Sequence, residues 1–196
     1  MDKRQFLIAG VGTLGAALPP QARAAASTAR TGPGLLTVTG AITRSNRGPL
    51  DPALDQLMLK HGASFDQAWE FDAAMLARLP SLAFRPTLEY DARPHRLRGP
   101  LLGTVLGAAG VAADAPVTLA LRALDGYTVA LSLADARRYR MIVATSLDGV
   151  PMSLGGLGPQ WAVIDADRLA DFKHKPLKER FAQCPWGLYH IEVRPL

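Results

Sequence analysis

The sequence predicts an α+β fold, a mixed and mostly antiparallel β architecture carrying short helices. Three observations carry this. Segments rich in β-branched residues recur from one end of the chain to the other. Helical periodicity appears only in short runs, and the two signals alternate without the regular rhythm of a doubly wound parallel sheet. No internal repeat appears, and 196 residues fall within the ~100–200 expected of one domain.

In chain order, Ala25 to Gly34 is small, polar and punctuated by glycine and proline, a flexible lead-in to a domain over 35–196. Leu35 to Ile42 (LLTVTGAI) has strand composition, and Thr43 to Leu50 is a loop. Asp51-Pro52 has the chemistry of a helix start, with Leu54, Leu57 and Met58 at i, i+3, i+4 as an apolar stripe and His61-Gly62 as the stop. Phe65 to Phe71 alternates as a strand does. Asp72 is placed to cap a helix with Met75, Leu76 and Leu79 on one face, stopped by Pro80. Phe84 to Tyr90 reads as a strand with Pro86 near its edge, and Asp91 to His95 as a polar turn.

Pro100 opens a clearer helix, Leu101 to Ala109, whose stripe is Leu101, Leu102, Val105 and Leu106, with Gly110 as its stop. Val117 to Leu124 and Tyr127 to Leu133 form a strand pair around the Asp125-Gly126 turn signal. A helix over Ala134 to Tyr139 and a strand over Met141 to Ser146 follow, turned by Asp148-Gly149. The glycine-rich segment 155–159 leads into a strand from Trp161 to Ile164. Asp167 to Phe181 is helix and loop around Pro176, with Asp167 as a helix cap. Trp186 to Val193 closes the chain as a strand.

Composition narrows the function classes. At 48% hydrophobic and 20% charged residues, the chain is neither disordered nor fibrous. The single cysteine, Cys184, makes no internal disulfide and builds no zinc or iron–sulfur site by itself. Residues 1–24 have the form of an export signal: Lys3-Arg4, an apolar run from Phe6 to Leu18, Pro19-Pro20, and a small-x-small site at Ala22-Arg23-Ala24. The run is short of the ~20 apolar residues a spanning helix needs, so no membrane span is expected after cleavage. Lys3-Arg4-Gln5-Phe6-Leu7 is similar to a twin-arginine signal with lysine in the first place, and a general secretory signal fits as well. Both place the mature protein in the periplasm. Cleavage removes Lys3, Arg4 and Arg23 against Asp2, which lowers the net charge from +5 to +3. No basic stripe with interleaved aromatics argues for nucleic acid as a partner.

Two segments have the residue types to hold an anion. Glycines at Gly155, Gly156 and Gly158 free backbone N–H groups to approach a phosphate, although the segment fits neither the dinucleotide nor the P-loop pattern and a plain wide turn is the better reading of its composition. Arg93, His95, Arg96 and Arg98 stand just before the helix opened by Pro100; guanidinium forks suit oxyanions, and a solvated loop is the other reading. Nucleophilic catalysis finds no support. There is no G-x-S-x-G elbow, Cys184 between Gln183 and Pro185 reads as a packed thiol, and no catalytic residue is assigned.

The run Asp125-Gly126-Tyr127, Leu133-Ala134-Asp135, Ile142-Val143-Ala144, Asp148-Gly149-Val150-Pro151-Met152 and Gly158-Pro159-Gln160-Trp161 resembles the molybdopterin-binding domain of the sulfite oxidase family. It is most similar to the short exported bacterial proteins that carry this domain alone. Leu36 to Gly40, Arg98 to Leu102 and Ile191-Glu192-Val193 fit the same order, so the match spans about Leu35 to Arg194. The resemblance implies a mixed α+β domain that holds a pterin cofactor. Gly156, Gly158 and Pro159 would lie on the pterin side; Arg93, His95, Arg96 and Arg98 would approach its phosphate or metal end. The family's molybdenum-ligating cysteine falls in the region reading Thr87 to Arg93, which has none, so no metal ligand is assigned. Three readings follow: a molybdopterin-dependent oxidoreductase working with a redox partner; a non-catalytic periplasmic binding module for an anionic small molecule or a partner such as a membrane sensor; and an accessory protein without ligand.

Overall fold

A computed structural model describes residues 31–196, so the expected export signal and the first part of the lead-in lie outside the described residues. The fold is α+β with mostly antiparallel sheets and a few short helices. The strands are β1 (Leu36–Gly40), β2 (Ala68–Phe71), β3 (Ser81–Phe84), β4 (Leu97–Pro100), β5 (Val117–Ala123), β6 (Thr128–Ser132), β7 (Ile142–Ala144), β8 (Ser146–Leu147), β9 (Val150–Pro151), β10 (Trp161–Val163) and β11 (Leu188–Pro195). The helices are α1 (Gln56–Lys60), α2 (Ala73–Arg78), α3 (Leu102–Ala108) and α4 (Leu133–Arg138). No helix among the described residues is long and apolar enough to cross a membrane.

The main sheet runs β2-β1-β11-β5-β6, with the closing strand inserted between β1 and β5; only β1 and β11 pair in parallel. Its register separates two faces. On one face Leu36 stands opposite Phe71, and Val38, Ile191, Leu121 and Val129 align in an apolar row; both sets enter the core. Glu70, Thr37, His190 and Arg122 align on the other face, yet all four are also buried. Segment 41–67 covers them. Arg47 reaches across to Glu70 at 2.5 Å, and His61 Nδ1 meets the Tyr189 hydroxyl at 2.8 Å. A second sheet runs β3-β4-β8-β9, and β7 pairs with β10 in a third.

Several local signals act as expected. Asp72 caps α2, its Oδ1 accepting the Met75 N–H at 2.7 Å, and its Oδ2 accepts the N–H groups of Thr31 and Gly32. Gly110 ends α3 at φ +87°, and Leu102, Val105 and Leu106 form its buried stripe. Gly126 turns β5 into β6 at φ +90°.

Other expectations are corrected. Asp51 caps a turn rather than a helix, accepting from the N–H groups of Ala53 and Leu54; α1 starts only at Gln56. Its expected stripe is mostly outside: Leu54 is 82% exposed, and only Met58 is buried. The strand expected from Phe84 ends there. Pro86 and Pro94 offer no N–H for a ladder, and segment 87–94 folds on itself, with Leu88 N–H on the Arg93 carbonyl and Ala92 at φ +55°. Leu97–Pro100 is strand rather than the run-up to a helix, because β3 and β8 flank it. The strand expected at 141–146 breaks into β7 and β8. Residues 167–181 hold turns and one 3₁₀ turn (Leu177–Glu179) in place of a helix. Asp167 is therefore a long-range tie: Oδ2 accepts the Thr87 N–H at 2.7 Å and Oδ1 pairs with Arg180 at 2.8 Å.

Candidate functional site

Two loops meet to form the most distinctive concavity. Segment 87–94 is held at its base by Asp167 and supplies Tyr90. The loop from β9 to β10 supplies Leu154, Gly155, Gly156, Leu157 and Gly158. Backbone geometry requires two of its glycines. Gly155 has φ +91°, and a Cβ on Gly158 would stand 2.5 Å from the Met152 carbonyl oxygen. The loop is fastened to the segment before β11 by Gly187 N–H on the Leu157 carbonyl and Leu188 N–H on the Gln160 carbonyl. That segment carries Trp186. With Leu124 and Asp125 from the β5–β6 turn, these residues line an open hollow of about 560 Å³.

Below the hollow lies Trp161, fully buried, with its ring centroid 6.5 Å from that of Tyr90 and 5.8 Å from that of Phe181. Its Nε1–H donates to the Cys184 carbonyl at 2.8 Å. The Cys184 side chain is buried, and burial pushes its thiol up to about 12, so it carries no thiolate at neutral pH. Burial of the Tyr90 hydroxyl, followed by the neighbouring Glu89 carboxylate, pushes that phenol to about 12 as well. The hollow offers aromatic and aliphatic faces, backbone, and one carboxylate, Asp125, whose Oδ1 already accepts the Tyr127 N–H. The ionisable side chains that line it are Tyr90 and Asp125.

The structure brings Gly156 and Gly158 together with the segment 87–93 through Tyr90. It does not bring the four basic residues to them. Arg93, Arg96 and Arg98 are exposed and none lines the hollow. Arg96 and Arg98 alternate along the β4 stretch with buried Leu97 and Gly99, and a Cβ on Gly99 would run into the Val143 carbonyl. Pro159 lines a neighbouring hollow of about 390 Å³ together with Arg47, Asp55, Glu70 and Tyr189.

His95 is held between two carboxylates. Its Nδ1 meets Asp148 Oδ2 at 2.6 Å and its Nε2 meets Asp91 Oδ2 at 2.8 Å. A carboxylate at each ring nitrogen favours the doubly protonated imidazolium, and the Asp148 bond, then the Asp91 bond, raise its pKa above the ordinary value. Both partners are themselves anchored, Asp148 by the Arg96 N–H and Asp91 by the Arg93 N–H, and their pKa values are lowered. The arrangement ties segment 87–94 to the β8–β9 turn.

Sequence reasoning passed over Trp186 as a site residue and did not place Tyr90 or Leu154 as walls of a hollow. The available signal was slight: a tryptophan between Pro185 and Gly187, and a tyrosine between two acids, each at the end of an expected strand. Among the described residues, no group of three His, Cys, Asp or Glu side chains is placed to hold a metal ion. Compared with known proteins, the chain matches no family model and no curated protein sequence.

Proposed function

We propose that this chain is an exported, non-catalytic binding module on a sulfite oxidase-like molybdopterin-domain scaffold, with the Tyr90–Trp186 hollow as its ligand site. One observation carries the reading. The segment where the family would place its metal-ligating cysteine meets the glycine loop at this hollow, and what it presents there is an aromatic ring rather than a thiolate. The mixed, mostly antiparallel α+β architecture is the class the scaffold reading requires, and the sequence of residues 1–24 supports periplasmic export.

Molybdopterin does not fit this donor set. The thiol is buried and protonated, the arginines lie outside the hollow, and the cofactor's phosphate would face the Asp125 carboxylate instead of a cation. The walls suit a ligand that presents flat or aliphatic faces to Tyr90, Leu154 and Trp186.

The test has two arms on one preparation from the periplasm of a host that makes molybdopterin. Molybdenum by mass spectrometry and released pterin fluorescence should both be far below one per chain. The uncharged dye N-phenylnaphthylamine should brighten on the folded protein and lose most of that gain with Tyr90→Ala or Trp186→Ala. Stoichiometric molybdenum and pterin would overturn the reading, as would dye binding that ignores both substitutions.

A further inference from the structure

We infer that the hollow is the middle of a longer acidic trough whose occupant is an extended, basic, apolar peptide segment of a partner protein. The inference rests on the reading of the hollow as a binding site and names what fills it. Three concavities adjoin through shared walls. The central one shares Leu124 and Leu154 with the 390 Å³ hollow beside α1, and Tyr90 and Trp186 with a third, of about 190 Å³, that reaches Tyr127.

The exposed apolar residues concentrate there. Nine large hydrophobic side chains are exposed among the described residues, and six of them, Leu54, Leu57, Tyr90, Tyr127, Leu154 and Trp186, line these three concavities. Scattered single apolar residues on a surface need no explanation; a row of them along one depression marks an interaction surface. This also accounts for the exposure of Leu54, in the turn before α1, and of Leu57 within it: both line the trough, while Met58 is buried.

Shape and charge select the occupant. The six apolar side chains along it remain exposed, so the trough lies along its partner without enclosing it, whereas a small molecule is usually buried over most of its surface. Separate hollows in series suit successive side chains of an extended segment. The charged residues of the walls are Asp55, Glu70, Glu89 and Asp125 against Arg47 and Lys178, with Arg47 already bridging Asp55 and Glu70. This excess of carboxylates, on a chain of net charge +5 before the expected cleavage and +3 after it, is complementary to a basic segment and repels an acidic one.

The experiment titrates the secreted chain with synthetic decapeptides in which leucine and phenylalanine alternate with lysine. A second set carries glutamate for lysine, and a third carries serine for the apolar residues. The lysine peptide should bind about ten-fold or more tighter than either of the others, with an affinity that falls as salt rises. Leu54→Ser combined with Leu154→Ser should weaken it about ten-fold while circular dichroism and melting stay unchanged, since both side chains are exposed. Asp125→Asn keeps the acceptor for the Tyr127 N–H and removes the charge, so it should weaken the lysine peptide alone. Equal or tighter binding of the glutamate peptide, no binding of the lysine peptide, or indifference to the leucine pair would overturn the proposal. A dimer of the parent chain that separates in the leucine pair would overturn it too, by assigning the trough to a second copy. Metal and pterin content of the same sample, with its dye response, reports separately on the binding-module reading.

Discussion

Replacing Trp161 with phenylalanine tests whether the floor of the hollow is also a main support of the fold. The indole is fully buried, packs on Phe181, and donates to the Cys184 carbonyl at 2.8 Å. Phenylalanine keeps an aromatic ring and removes the donor. Leaving a buried carbonyl without its partner costs about 1–3 kcal/mol. The smaller ring also leaves a void, for which full truncation of a tryptophan to alanine, at about 3–5 kcal/mol, sets the ceiling. Together these give about 2–4 kcal/mol. With a urea m-value of about 2 kcal/mol per molar, the unfolding midpoint should fall by about 1–2 M. Cys184→Ser is the informative control, because the acceptor is backbone and survives the change. A Trp161→Phe midpoint within about 0.3 M of the parent would refute the reasoning. It would mean that the carbonyl finds another partner and that neighbours close the void.

Three further predictions rest on buried and paired groups. The raised pKa of His95 makes its clamp fully stabilising below the ordinary histidine value of about 6.5 and weaker as pH climbs through the raised one; the lowered carboxylates of Asp91 and Asp148 contribute above about 4 and are lost as pH falls through their lowered values. Melting of the parent should therefore decline from mildly acidic to alkaline pH more than melting of His95→Gln, and parallel curves would contradict the clamp. His190 behaves oppositely: burial, then the Arg122 charge, lowers it to about 4, so the unfolded chain takes up its proton first and stability falls between about pH 6.5 and 4. Its imidazole resonances should show the neutral form down to about pH 4, and a midpoint near 6.5 would contradict its burial. Cys184, with its thiol pushed to about 12, should resist a disulfide-exchange reagent at pH 8 in the native protein and react promptly in denaturant. Fast native reaction would place the thiol outside the core.

Legibility in the sequence follows the range of the interaction concerned. Asp72 and its cap on Met75 lie three residues apart; Gly110 ends α3 from just beyond it; Asp125-Gly126 turns β5 directly into β6. Each depends on neighbours in the chain, so composition and spacing disclose it. The arginine stretch shows the opposite case. Nothing local tells whether Arg96 and Arg98 precede a helix or occupy a strand stretch, because that depends on β3 and β8 flanking β4, and the β8 contact comes from some fifty residues away. His95 is likewise unreadable alone, since Asp148 reaches it from a different turn.

The sequence by itself determined the α+β class, the Asp72 cap, the turns at Asp125-Gly126 and Asp148-Gly149, and the glycine-rich loop at 155–158, since these rest on the conformational preferences of adjacent residues. Tertiary structure alone decided that β11 inserts between β1 and β5, that Leu54, Leu154, Tyr90 and Trp186 share one trough, and that the basic residues stay outside it. The physical reason is that strand order and the coming together of distant loops are settled by how whole apolar faces cover one another. That is a property of the assembled core, and it is written in no single stretch of the chain.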